Sequence, residues 1–493
     1  MKTETFDVAV LGSGPAGQKA AVQAAKAGRR VALIEREAAI GGACVRRGTI
    51  PSKALREAAL RAVDRRFWPD APPGAAPEAI ELPRLMRRLD RVVGAHSDYM
   101  RRQLDRNGIA MLHGKARFTS PRRILVRAVD GSERQLDCGI IVVATGSRPR
   151  APAHLPLDHE NVVDSDSILS IAYLPRSLTV LGGGVIACEY ASIFAKLGVR
   201  VTIIDEAERP LRFMDAEITS RFVAEFEAMG GRYLGSQRVA RVTWDGINTV
   251  HAELVDGDRV ASDKLLVALG RVANAEGLEL EAAGLGVNER GLIDVDEHCR
   301  TRQPHIYAAG DVIGAPALAS TSMEQGRRAV CHALGIHPGS PPELSPIGIY
   351  TIPEIASVGI DEREAARRHG GAIVGRARFD EVARGQISGA TDGFLKLIAD
   401  PAGERLLGAH IVGEGATELV HVAQMALLAH FSADVFVENI FNFPTLAEAY
   451  RVAALDIAGQ RARKAHQPDL DAAILGATDG VAVRGDGAAL GEA

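Results

Sequence analysis

The sequence predicts an α/β protein in which one strand–turn–helix–strand unit occurs twice and a further domain follows. In the first copy, an apolar run over 6–11 leads into Gly12-Ser13-Gly14-Pro15-Ala16-Gly17, an alanine-rich helix and a strand that ends at Glu35. The second copy repeats this order in the same register, with a constant shift of 170 positions. The corresponding residues are Gly12 and Gly182, Gly28 and Gly198, and Glu35 and Asp205. Chance does not account for two such matches, so the sequence predicts two folds of one kind.

Each residue of the first turn suits a dinucleotide. Gly12 permits the tight turn, Gly14 lets the backbone approach a pyrophosphate, and Gly17 permits close packing of the helix. The helix N-terminus, which includes Ala16, supplies amide donors and the positive end of a dipole. Glu35 ends the second strand, where it can accept hydrogen bonds from an adenosine ribose. This order of elements predicts a Rossmann-like dinucleotide-binding domain.

The second copy predicts a second dinucleotide site. Gly182, Gly184 and Ile186 lie in its turn and at the start of its helix, and the small residue Ala187 replaces the third glycine. Asp205 occupies the ribose-binding position, and Gly270 is a further predicted contact with the nucleotide. Two such folds in one chain imply two dinucleotides.

Composition and charge exclude several other classes of function. The chain has 493 residues, enough for about three domains, a formal net charge of −4 and a pI near 6.4. This balance gives no reason to expect binding to nucleic acid or to a membrane surface. The five cysteines are scattered without zinc-binding spacing, and no apolar run is long enough to span a membrane. We therefore expect no metal and a cytoplasmic location.

Residues 41–54, Gly-Gly-Ala-Cys-Val-Arg-Arg-Gly-Thr-Ile-Pro-Ser-Lys-Ala, resemble the redox-active helix of the flavoprotein disulfide reductases. In that family two cysteines five positions apart form a disulfide beside the flavin, and Pro-Ser-Lys follows. This chain has Cys44 in the first position and Thr49 in the second. A threonine hydroxyl can neither close a disulfide nor act as a thiolate. The resemblance therefore implies a family member without the dithiol relay.

Other stretches resemble the flavin-binding signatures of this family and imply that the first dinucleotide is FAD. Ala144-Thr145-Gly146 resembles the point where the chain leaves the first domain, and the aspartate of Ala309-Gly310-Asp311 is similar to one that binds the ribityl chain. Lys53 and Glu189 resemble a buried ion pair beside the flavin. The predicted FAD contacts are Gly12, Gly14, Ala16, Gly17, Glu35, Gly42, Cys44, Lys53, Gly114, Ala144, Thr145, Gly146, Gly310 and Asp311.

The remainder of the chain resembles the dimerisation domain of the family, beginning at Pro346-Ile347-Gly348-Ile349-Tyr350-Thr351-Ile352-Pro353. The resemblance implies a glutathione-reductase-like architecture and a homodimer. We expect an FAD-binding domain at 1–150 and 275–344, an NAD(P)-binding domain at 151–274, and an α+β dimerisation domain at 345–467. The glycine-rich and alanine-rich residues 468–493 predict a flexible tail.

A second departure from the family pattern lies near the C-terminus. Disulfide reductases carry histidine and glutamate in H-P-x-x-x-E, whereas this chain has Phe443 in the histidine position and keeps Glu448. Phenylalanine cannot transfer protons. Loss of the second cysteine together with this histidine favours a changed reaction. The predicted catalytic residues are Lys53, Glu189, Cys44, Thr49 and Glu448.

The resemblance implies an FAD-dependent NAD(P)+ transhydrogenase that moves hydride from NADPH to NAD+ by a ping-pong route. Asp205 favours the ribose of NAD(H) and repels the 2′-phosphate of NADP(H), so we expect weaker binding of NADP(H). Arg209 or Arg212 could offset that repulsion. One alternative is an NAD(P)H diaphorase or quinone reductase of the same family. The other is a non-catalytic flavoprotein that senses redox state through Cys44.

Overall fold

The computed structural model describes residues 3–63 and 82–478, and within them only the backbone of Arg84 and of residues 465–478. The chain separates into two compact units. The first unit comprises Met1–Phe213, Thr219–Pro342 and Tyr350–Ile352. The second comprises Met214–Ile218, Glu343–Ile349 and Pro353–Ala493.

The first unit contains seventeen strands within the described residues. They are β1 (Thr3–Leu11), β2 (Val31–Glu35), β3 (Ala110–His113), β4 (Lys115–Ser120), β5 (Arg123–Arg127), β6 (Glu133–Val143), β7 (Ser147–Pro149), β8 (Val162–Asp164), β9 (Ser177–Leu181), β10 (Arg200–Ile204), β11 (Arg232–Leu234), β12 (Val239–Trp244), β13 (Val250–Leu254), β14 (Arg259–Ser262), β15 (Lys264–Val267), β16 (Arg271–Ala273) and β17 (Ile306–Ala308).

Seven α-helices accompany these strands in the described part of the chain, although α6 begins in the segment Met214–Ile218 that belongs to the second unit. They are α1 (Pro15–Lys26), α2 (Gly42–Arg46), α3 (Thr49–Val63), α4 (Leu82–Arg106), α5 (Val185–Lys196), α6 (Ala216–Ala228) and α7 (Ala319–Ala333). Short 3₁₀ helices cover Ser167–Ser170, Leu280–Ala283 and Asp311–Ile313.

A seven-stranded sheet holds the first predicted dinucleotide fold. Its order is β3-β2-β1-β6-β5-β4, with β17 also paired to β6. The strands β3, β2, β1, β6 and β17 are parallel, and β5 and β4 continue the sheet in antiparallel pairing. Alternate residues of β1 belong to different apolar cores, with Ala9 and Leu11 in one and Val8 and Val10 in the other. The sheet is therefore buried on both faces, as its almost continuous apolar strands predict.

The second predicted fold has the same topology in a smaller sheet. Five parallel strands run in the order β11-β10-β9-β15-β8. In both sheets the first strand of the copy is central, with the second strand of the copy on one side and a later return strand on the other. A three-stranded antiparallel sheet (β12-β13-β14) and a two-stranded antiparallel pair (β16-β7) complete this unit. The predicted repeat of two Rossmann-like folds is confirmed.

The second unit is an α+β domain, as predicted. Its strands are β18 (Ile347–Ile349), β19 (Ile355–Gly359), β20 (Ile373–Arg378), β21 (Phe394–Ala399) and β22 (Leu406–Val412), in the antiparallel order β18-β19-β22-β21-β20. Its helices are α8 (Glu362–His369), α9 (Ala383–Ser388), α10 (Ala416–Leu428), α11 (Val435–Glu438) and α12 (Glu448–Thr478), with a 3₁₀ helix at Phe379–Glu381. Tyr450 and Phe379 are among its fully buried side chains.

A buried lysine of this second unit is surrounded by three carboxylates, of which Asp215 is buried and Glu217 and Glu362 are each 40% exposed. The Lys396 side chain is 2% exposed, and its Nζ lies 2.9 Å from Asp215, 3.1 Å from Glu217 and 2.6 Å from Glu362. Three carboxylates compensate for the removal of the ammonium group from water. The neighbouring His410 accepts or donates at both ring nitrogens, to the Ser357 hydroxyl at 2.7 Å and the Ile360 carbonyl at 3.1 Å.

The backbone is helical over the first eleven positions of the predicted C-terminal tail, and the flexibility expected of that tail stays a prediction. Helix α12 continues to Thr478, so residues 468–478 are helical. Alanine and leucine in this stretch have high helix propensity, which extends the helix without an apolar periodicity that sequence inspection could detect. Residues 479–493 lie outside the described residues. Over the described ranges, no helix combines the length and apolarity needed to cross a membrane.

Candidate functional site: two nucleotide-binding turns and a buried ion pair

The first glycine turn is closed by contacts that exclude side chains. Gly12 has φ +102°, and a Cβ there would lie 2.3 Å from the Ala144 carbonyl oxygen. A Cβ on Gly17 would lie 1.9 Å from the Gly12 carbonyl oxygen. Ala16 is 4% exposed, and its carbonyl oxygen is in close contact with Gly326 of α7. These residues therefore shape the turn and seat α1, as a tight nucleotide-binding turn requires.

Gly14 differs from its neighbours because it borders open space. It is the N-cap of α1, has φ −66°, and no side chain caps the helix. A Cβ on Gly14 would meet no atom within 4 Å apart from the neighbours along the chain, while Gly42, at φ +61°, approaches Gly14 closely. The first amides of α1 thus border a cradle that an anionic group can enter.

Glu35 fixes the shape of this turn. Its Oε2 accepts hydrogen bonds from the Ser13 amide at 2.9 Å and the Ser13 hydroxyl at 2.6 Å, and its Oε1 accepts one from the Glu37 amide at 2.9 Å. The side chain is 5% exposed. Each carboxylate oxygen can accept more than one bond, so Oε1 retains capacity for a ribose hydroxyl. Gly114 lies beside it, with its amide donating to the Glu35 carbonyl at 2.9 Å.

The Ala144-Thr145-Gly146 stretch contributes an unpaired polar atom. Thr145 Oγ1 is buried and has no hydrogen-bond partner among the described residues. Gly146 has φ +68° and open space at its Cβ position. A buried hydroxyl without a partner is costly unless a ligand supplies one. This orphan atom and the open cradle at Gly14 fit a dinucleotide that brings its own polar groups.

The second flavin-like stretch returns to the same sheet. The Ala309 amide donates to the Val143 carbonyl at 3.0 Å, and the Gly310 amide donates to Gln325 Oε1 at 3.0 Å. Asp311 follows at the end of β17, where its Oδ2 accepts a hydrogen bond of 2.6 Å from the Ser147 hydroxyl. Asp311 and Ser147 are therefore neighbours although 164 positions separate them.

Lys53 and Glu189 form the predicted ion pair. Lys53 Nζ donates to Glu189 Oε2 at 2.6 Å, and the side chains are 23% and 6% exposed. The main-chain amide of Tyr350 donates to Glu189 Oε1 at 2.9 Å. The Tyr350 ring lies 5.0 Å from Lys53 Nζ, within the range of a cation–π contact. The main-chain amide and the ring of Tyr350 thus hold the Lys53–Glu189 ion pair in one geometry.

In the stretch that resembles a redox-active helix, the Thr49 hydroxyl lies close enough to the Cys44 thiol to affect its pKa. Burial raises the pKa of the Cys44 thiol, against the opposing effects of the Thr49 hydroxyl and Lys53. Arg47 instead contacts Glu37 at 3.2 Å and Asp166 at 3.7 Å. All five cysteines carry free thiols. Since the environment disfavours the thiolate, Cys44 is held as a neutral thiol.

The second glycine turn repeats the geometry of the first. Gly182 has φ +104°, and a Cβ there would lie 2.8 Å from the Ala268 carbonyl oxygen, as Gly12 does with Ala144. Gly184 is the N-cap of α5 and has open space at its Cβ position, as Gly14 does. Gly270 has φ +96° and is equally open, while Ile186 lies half-buried in the first turn of α5.

Asp205 lies at the mouth of this second turn. A Cβ on Gly183 would be 2.4 Å from Asp205 Oδ2. The Tyr233 hydroxyl lies 3.3 Å from the same oxygen and 2.9 Å from the Ala207 carbonyl, to which it donates. Arg209 donates to the Thr219 hydroxyl at 2.9 Å and to the Arg212 carbonyl at 3.0 Å. The carboxylate is thus held against the glycine turn, and the Arg209 guanidinium is engaged elsewhere.

Glu448 lies in the second unit, at the first residue of α12. Its Oε2 is buried and has no hydrogen-bond partner in the part of the chain that the structure describes. Phe443 is 69% exposed. The glutamate therefore remains without the histidine that the family pattern would place five positions before it.

Fold and site together define a flavoprotein of the oxidoreductase class. The chain belongs to the pyridine nucleotide-disulphide oxidoreductase family, whose pattern matches residues 6–326. The dimerisation domain of the same family matches residues 345–454. FAD and a nicotinamide nucleotide are the cofactors of this family, which agrees with the orphan hydroxyl and the two open cradles described above.

Three relatives with the same name match this chain over 92% of its length. A protein named soluble pyridine nucleotide transhydrogenase from Mycobacterium tuberculosis (strain ATCC 25177 / H37Ra) is 42% identical, over 92% of this chain and 97% of that protein. Proteins of the same name from Marinomonas sp. (strain MWYL1) and Pseudomonas putida (strain GB-1) are 40% and 39% identical, each over 92% of this chain and 99% of the relative.

Solved structures show the same fold. LpdA from Mycobacterium tuberculosis has a TM-score of 0.83 at 29% identity, over 92% of this chain and 99% of that one. The HOCl-induced flavoprotein disulfide reductase RclA from Escherichia coli has a TM-score of 0.82 at 28% identity, over 91% and 99% of the two chains.

Sequence reasoning missed several residues that shape the site. These residues are Ser13, Ser147, Tyr233, Arg271 and Tyr350, and of them only Ser13 lies within a glycine motif. Ser13 could have been found as the polar residue inside the first turn. The others act through partners far along the chain, so local patterns carry no signal for them.

Proposed function

We propose that this chain is an NAD(P)+ transhydrogenase that transfers hydride from NADPH to NAD+ by way of bound FAD. The observation that carries the proposal is the presence of Cys44 and Thr49 at the positions of the two family cysteines, just before Lys53. A site with one thiol and one hydroxyl has no dithiol with which to pass electrons to a disulfide substrate. Hydride that arrives from one nicotinamide nucleotide must therefore leave to another acceptor at the same site, and the names of the relatives support a second pyridine nucleotide as that acceptor.

The proposed division of labour follows the two folds. Residues 1–150 and 275–344 bind FAD, residues 151–274 bind one nicotinamide nucleotide at a time, and residues 345–467 form a homodimer. Such an arrangement requires a ping-pong order, in which NADP+ leaves before NAD+ enters. FAD, when bound, supplies the carrier of the hydride between the two half-reactions.

The protein's own groups bind and orient the reactants. The open amides of α1 and α5 bind pyrophosphates, and Thr145, Gly146 and Asp311 bind the FAD. Lys53, held by Glu189, supplies a fixed positive charge that stabilises negative charge in its neighbourhood. Glu448 remains a predicted catalytic residue by family position, although Phe443 removes the proton carrier that a dithiol reaction needs. A cytoplasmic location stays a prediction from the sequence.

The test is an anaerobic two-step titration of the holoenzyme. NADPH is added until the flavin absorbance is bleached, excess nucleotide is removed, NAD+ is added, and recovery of the absorbance is followed. We expect rapid bleaching by NADPH and rapid recovery with NAD+. Bleaching without recovery contradicts transhydrogenation.

A diaphorase is the second candidate, and the position of Asp205 favours it. A carboxylate held at the ribose end of the turn repels a 2′-phosphate, and Arg209 is engaged by Thr219. Under this alternative, NADH bleaches the flavin, NADPH does not, and a quinone restores the absorbance faster than NAD+ does. The same titration therefore separates the two activities. Redox sensing through Cys44 is disfavoured because burial raises the pKa of the thiol.

A further inference from the structure

A chain of hydrogen bonds leads from Arg271 to Asp311. Arg271 and Ser147 lie on the antiparallel pair β16 and β7, in which Ala273 is the register partner of Ser147. Arg271 Nε donates to Ser147 Oγ at 2.8 Å, and its Nη2 donates to the Ser147 carbonyl oxygen at 2.9 Å. Ser147 Oγ lies 2.6 Å from Asp311 Oδ2. Ser147 is 8% exposed, so water competes little for these bonds.

The direction of every bond in this chain is fixed by chemistry. A guanidinium group has only donors, so Ser147 Oγ must accept from Arg271. The single hydroxyl hydrogen of Ser147 is then free to point to Asp311 Oδ2, which as a carboxylate oxygen can only accept. A serine hydroxyl without Arg271 could rotate away. Arg271 also donates a hydrogen bond to the Ser147 carbonyl oxygen. The serine therefore cannot change its rotamer or its position without losing a charge-assisted hydrogen bond.

We propose that Arg271 and Ser147 are positioning residues that orient the Asp311 carboxylate towards the FAD. The pair occupies Asp311 Oδ2 and thereby leaves the lone pairs of Oδ1 for the ligand. Arg271 touches neither nucleotide in this scheme and acts only through Ser147. The inference rests on the proposed assignment of Asp311 to the flavin.

The position of the pair gives this arrangement a physical advantage. Asp311 begins the 3₁₀ helix that comes after β17, and Ser147 follows the Thr145-Gly146 stretch, so the hydrogen bond joins the two predicted flavin-binding segments. Asn274 lies three residues after Arg271. Its side-chain Nδ2 donates to the Thr145 carbonyl oxygen at 3.0 Å, and its main-chain N–H donates to the Gly146 carbonyl oxygen at 2.9 Å. Residues 271–274 thus hold the 145–147 segment directly and reach Asp311 through Ser147.

The experiment measures the rate at which FAD leaves the holoenzyme. Release is followed by the fluorescence of free flavin after dilution, for the wild type and for Ser147→Ala and Ser147→Thr. Loss of one hydrogen bond to a charged group predicts release about tenfold faster in S147A. S147T keeps the hydroxyl, so we expect a rate within about threefold of the wild type. An unchanged rate in S147A contradicts the proposal.

A double-mutant cycle tests whether the two residues act as one unit. Arg271→Met should release FAD about as fast as S147A, and the double variant should be no faster than either single variant. If the increase in release rate of the double variant equals the product of the two single increases, the residues act independently, which contradicts a shared role. If R271M does not fold, Arg271→Lys replaces it, since lysine retains one donor for Ser147 and predicts an intermediate rate.

Two controls separate this inference from the proposed function. Arg134→Met removes an arginine that bonds to Glu4, outside these segments, and should leave the release rate unchanged. Asp311→Ala tests the assignment of Asp311 itself. If D311A releases FAD at the wild-type rate, the assignment of Asp311 to the flavin is wrong. If D311A releases FAD fast but S147A releases it at the wild-type rate, only the positioning role of Arg271 and Ser147 is wrong.

Discussion

Asp205 and Gly183 are in direct contact at the second nucleotide turn, since a Cβ on Gly183 would lie 2.4 Å from Asp205 Oδ2. The carboxylate therefore lies over the turn, at the position proposed for the ribose, with the Tyr233 hydroxyl 3.3 Å from its Oδ2. Because its contacts hold the Asp205 carboxylate in place, the negative charge acts on a bound nucleotide without any movement of the side chain.

Asp205→Asn should change the preference between nucleotides. Removal of the negative charge weakens the repulsion of a 2′-phosphate and removes one acceptor for the ribose hydroxyls. We expect KM for NADPH to fall and KM for NADH to rise, each by about three- to tenfold. Steady-state kinetics with both nucleotides measure the change, and Glu227→Gln, which removes an exposed charge of α6, is the matched control with little expected effect. A D205N variant in which both KM values move together contradicts this role.

Gly12→Ala and Gly14→Ala should fail in different ways. At Gly12 the new Cβ would lie 2.3 Å from a carbonyl oxygen at φ +102°, so we expect a loss of more than about 2 kcal/mol in unfolding free energy. At Gly14 the backbone is ordinary and the space open, so stability without FAD should change by less than about 0.5 kcal/mol. FAD affinity should nevertheless fall, because the methyl group enters the cradle. Denaturant unfolding and FAD titration of both variants check this; equal stability losses would count against it.

Glu189→Gln should destabilise the fold and slow hydride transfer. The Lys53 ammonium would lose its partner at 2.6 Å, which costs about 3 kcal/mol when a largely buried pair is broken. The Tyr350 amide can still donate to the remaining amide oxygen. Denaturant unfolding measures the first effect, and stopped-flow bleaching of the flavin by NADPH, expected to be at least about tenfold slower, measures the second.

The exposed pair of Arg134 and Glu4 provides the comparison for this variant. Arg134 lies 2.8 Å from Glu4, with side chains 46% and 29% exposed. Glu4→Gln should cost only about 0–1 kcal/mol and leave hydride transfer unchanged. Similar losses in the two variants would show that the position of Glu189 has no special importance.

His410 should make stability depend on pH below neutrality. Burial lowers the pKa of His410, and the groups facing it are Asp215, Lys396, Asp361, Ser357 and the Ile360 carbonyl. The folded state keeps the imidazole neutral, while the unfolded chain binds a proton below about pH 6.5. Its contribution to stability is therefore complete above about pH 6.5 and is lost as the pH falls towards the lowered folded pKa, by up to about 1.4 kcal/mol per pH unit.

The measurement compares slopes of stability against pH between pH 7 and 5. His410→Asn should flatten the slope whatever it does to absolute stability, because the titrating group is gone. His369→Asn removes an exposed histidine of α8 and should leave the slope unchanged. An H410N variant with the wild-type slope excludes His410 as the titrating group.

Cys44 should react slowly with alkylating reagents. Burial raises the pKa of its thiol, so little thiolate is present at pH 7, although Cys44 is more exposed than the other four cysteines. We expect iodoacetamide to label Cys44 at least about tenfold more slowly than a free cysteine, with mass spectrometry identifying the site. Fast labelling at pH 7 would revive the redox-sensing alternative.

Local patterns predicted the two glycine turns well, because each turn needs glycine at fixed spacing for steric reasons that hold in any protein. The contacts at Gly12 and Gly17, and the repeat at Gly182, agree with that prediction. Resemblance, in contrast, was needed to pair Lys53 with Glu189, which are 136 positions apart. No periodicity links residues at such separation.

The remaining features depend on tertiary packing. Tyr350 reaches Glu189 through its main-chain amide, so any residue except proline could make the bond, and the residue type at position 350 does not predict it. Arg271 and Ser147 meet because two three-residue strands pair. Strands that short have too few residues for alternation to be visible.

Gly17 and Ala187 occupy the same position of the repeated motif, but their surroundings differ. A methyl group at Gly17 would collide with the Gly12 carbonyl oxygen at 1.9 Å, whereas the second fold accommodates the methyl group of Ala187 in a fully buried site. The two copies, equivalent in topology, thus tolerate different mutations. The first copy requires glycine at position 17, whereas the second copy has alanine at the equivalent position 187. The first turn segment should therefore function in the second copy, but the second turn segment, which carries alanine, should not function in the first.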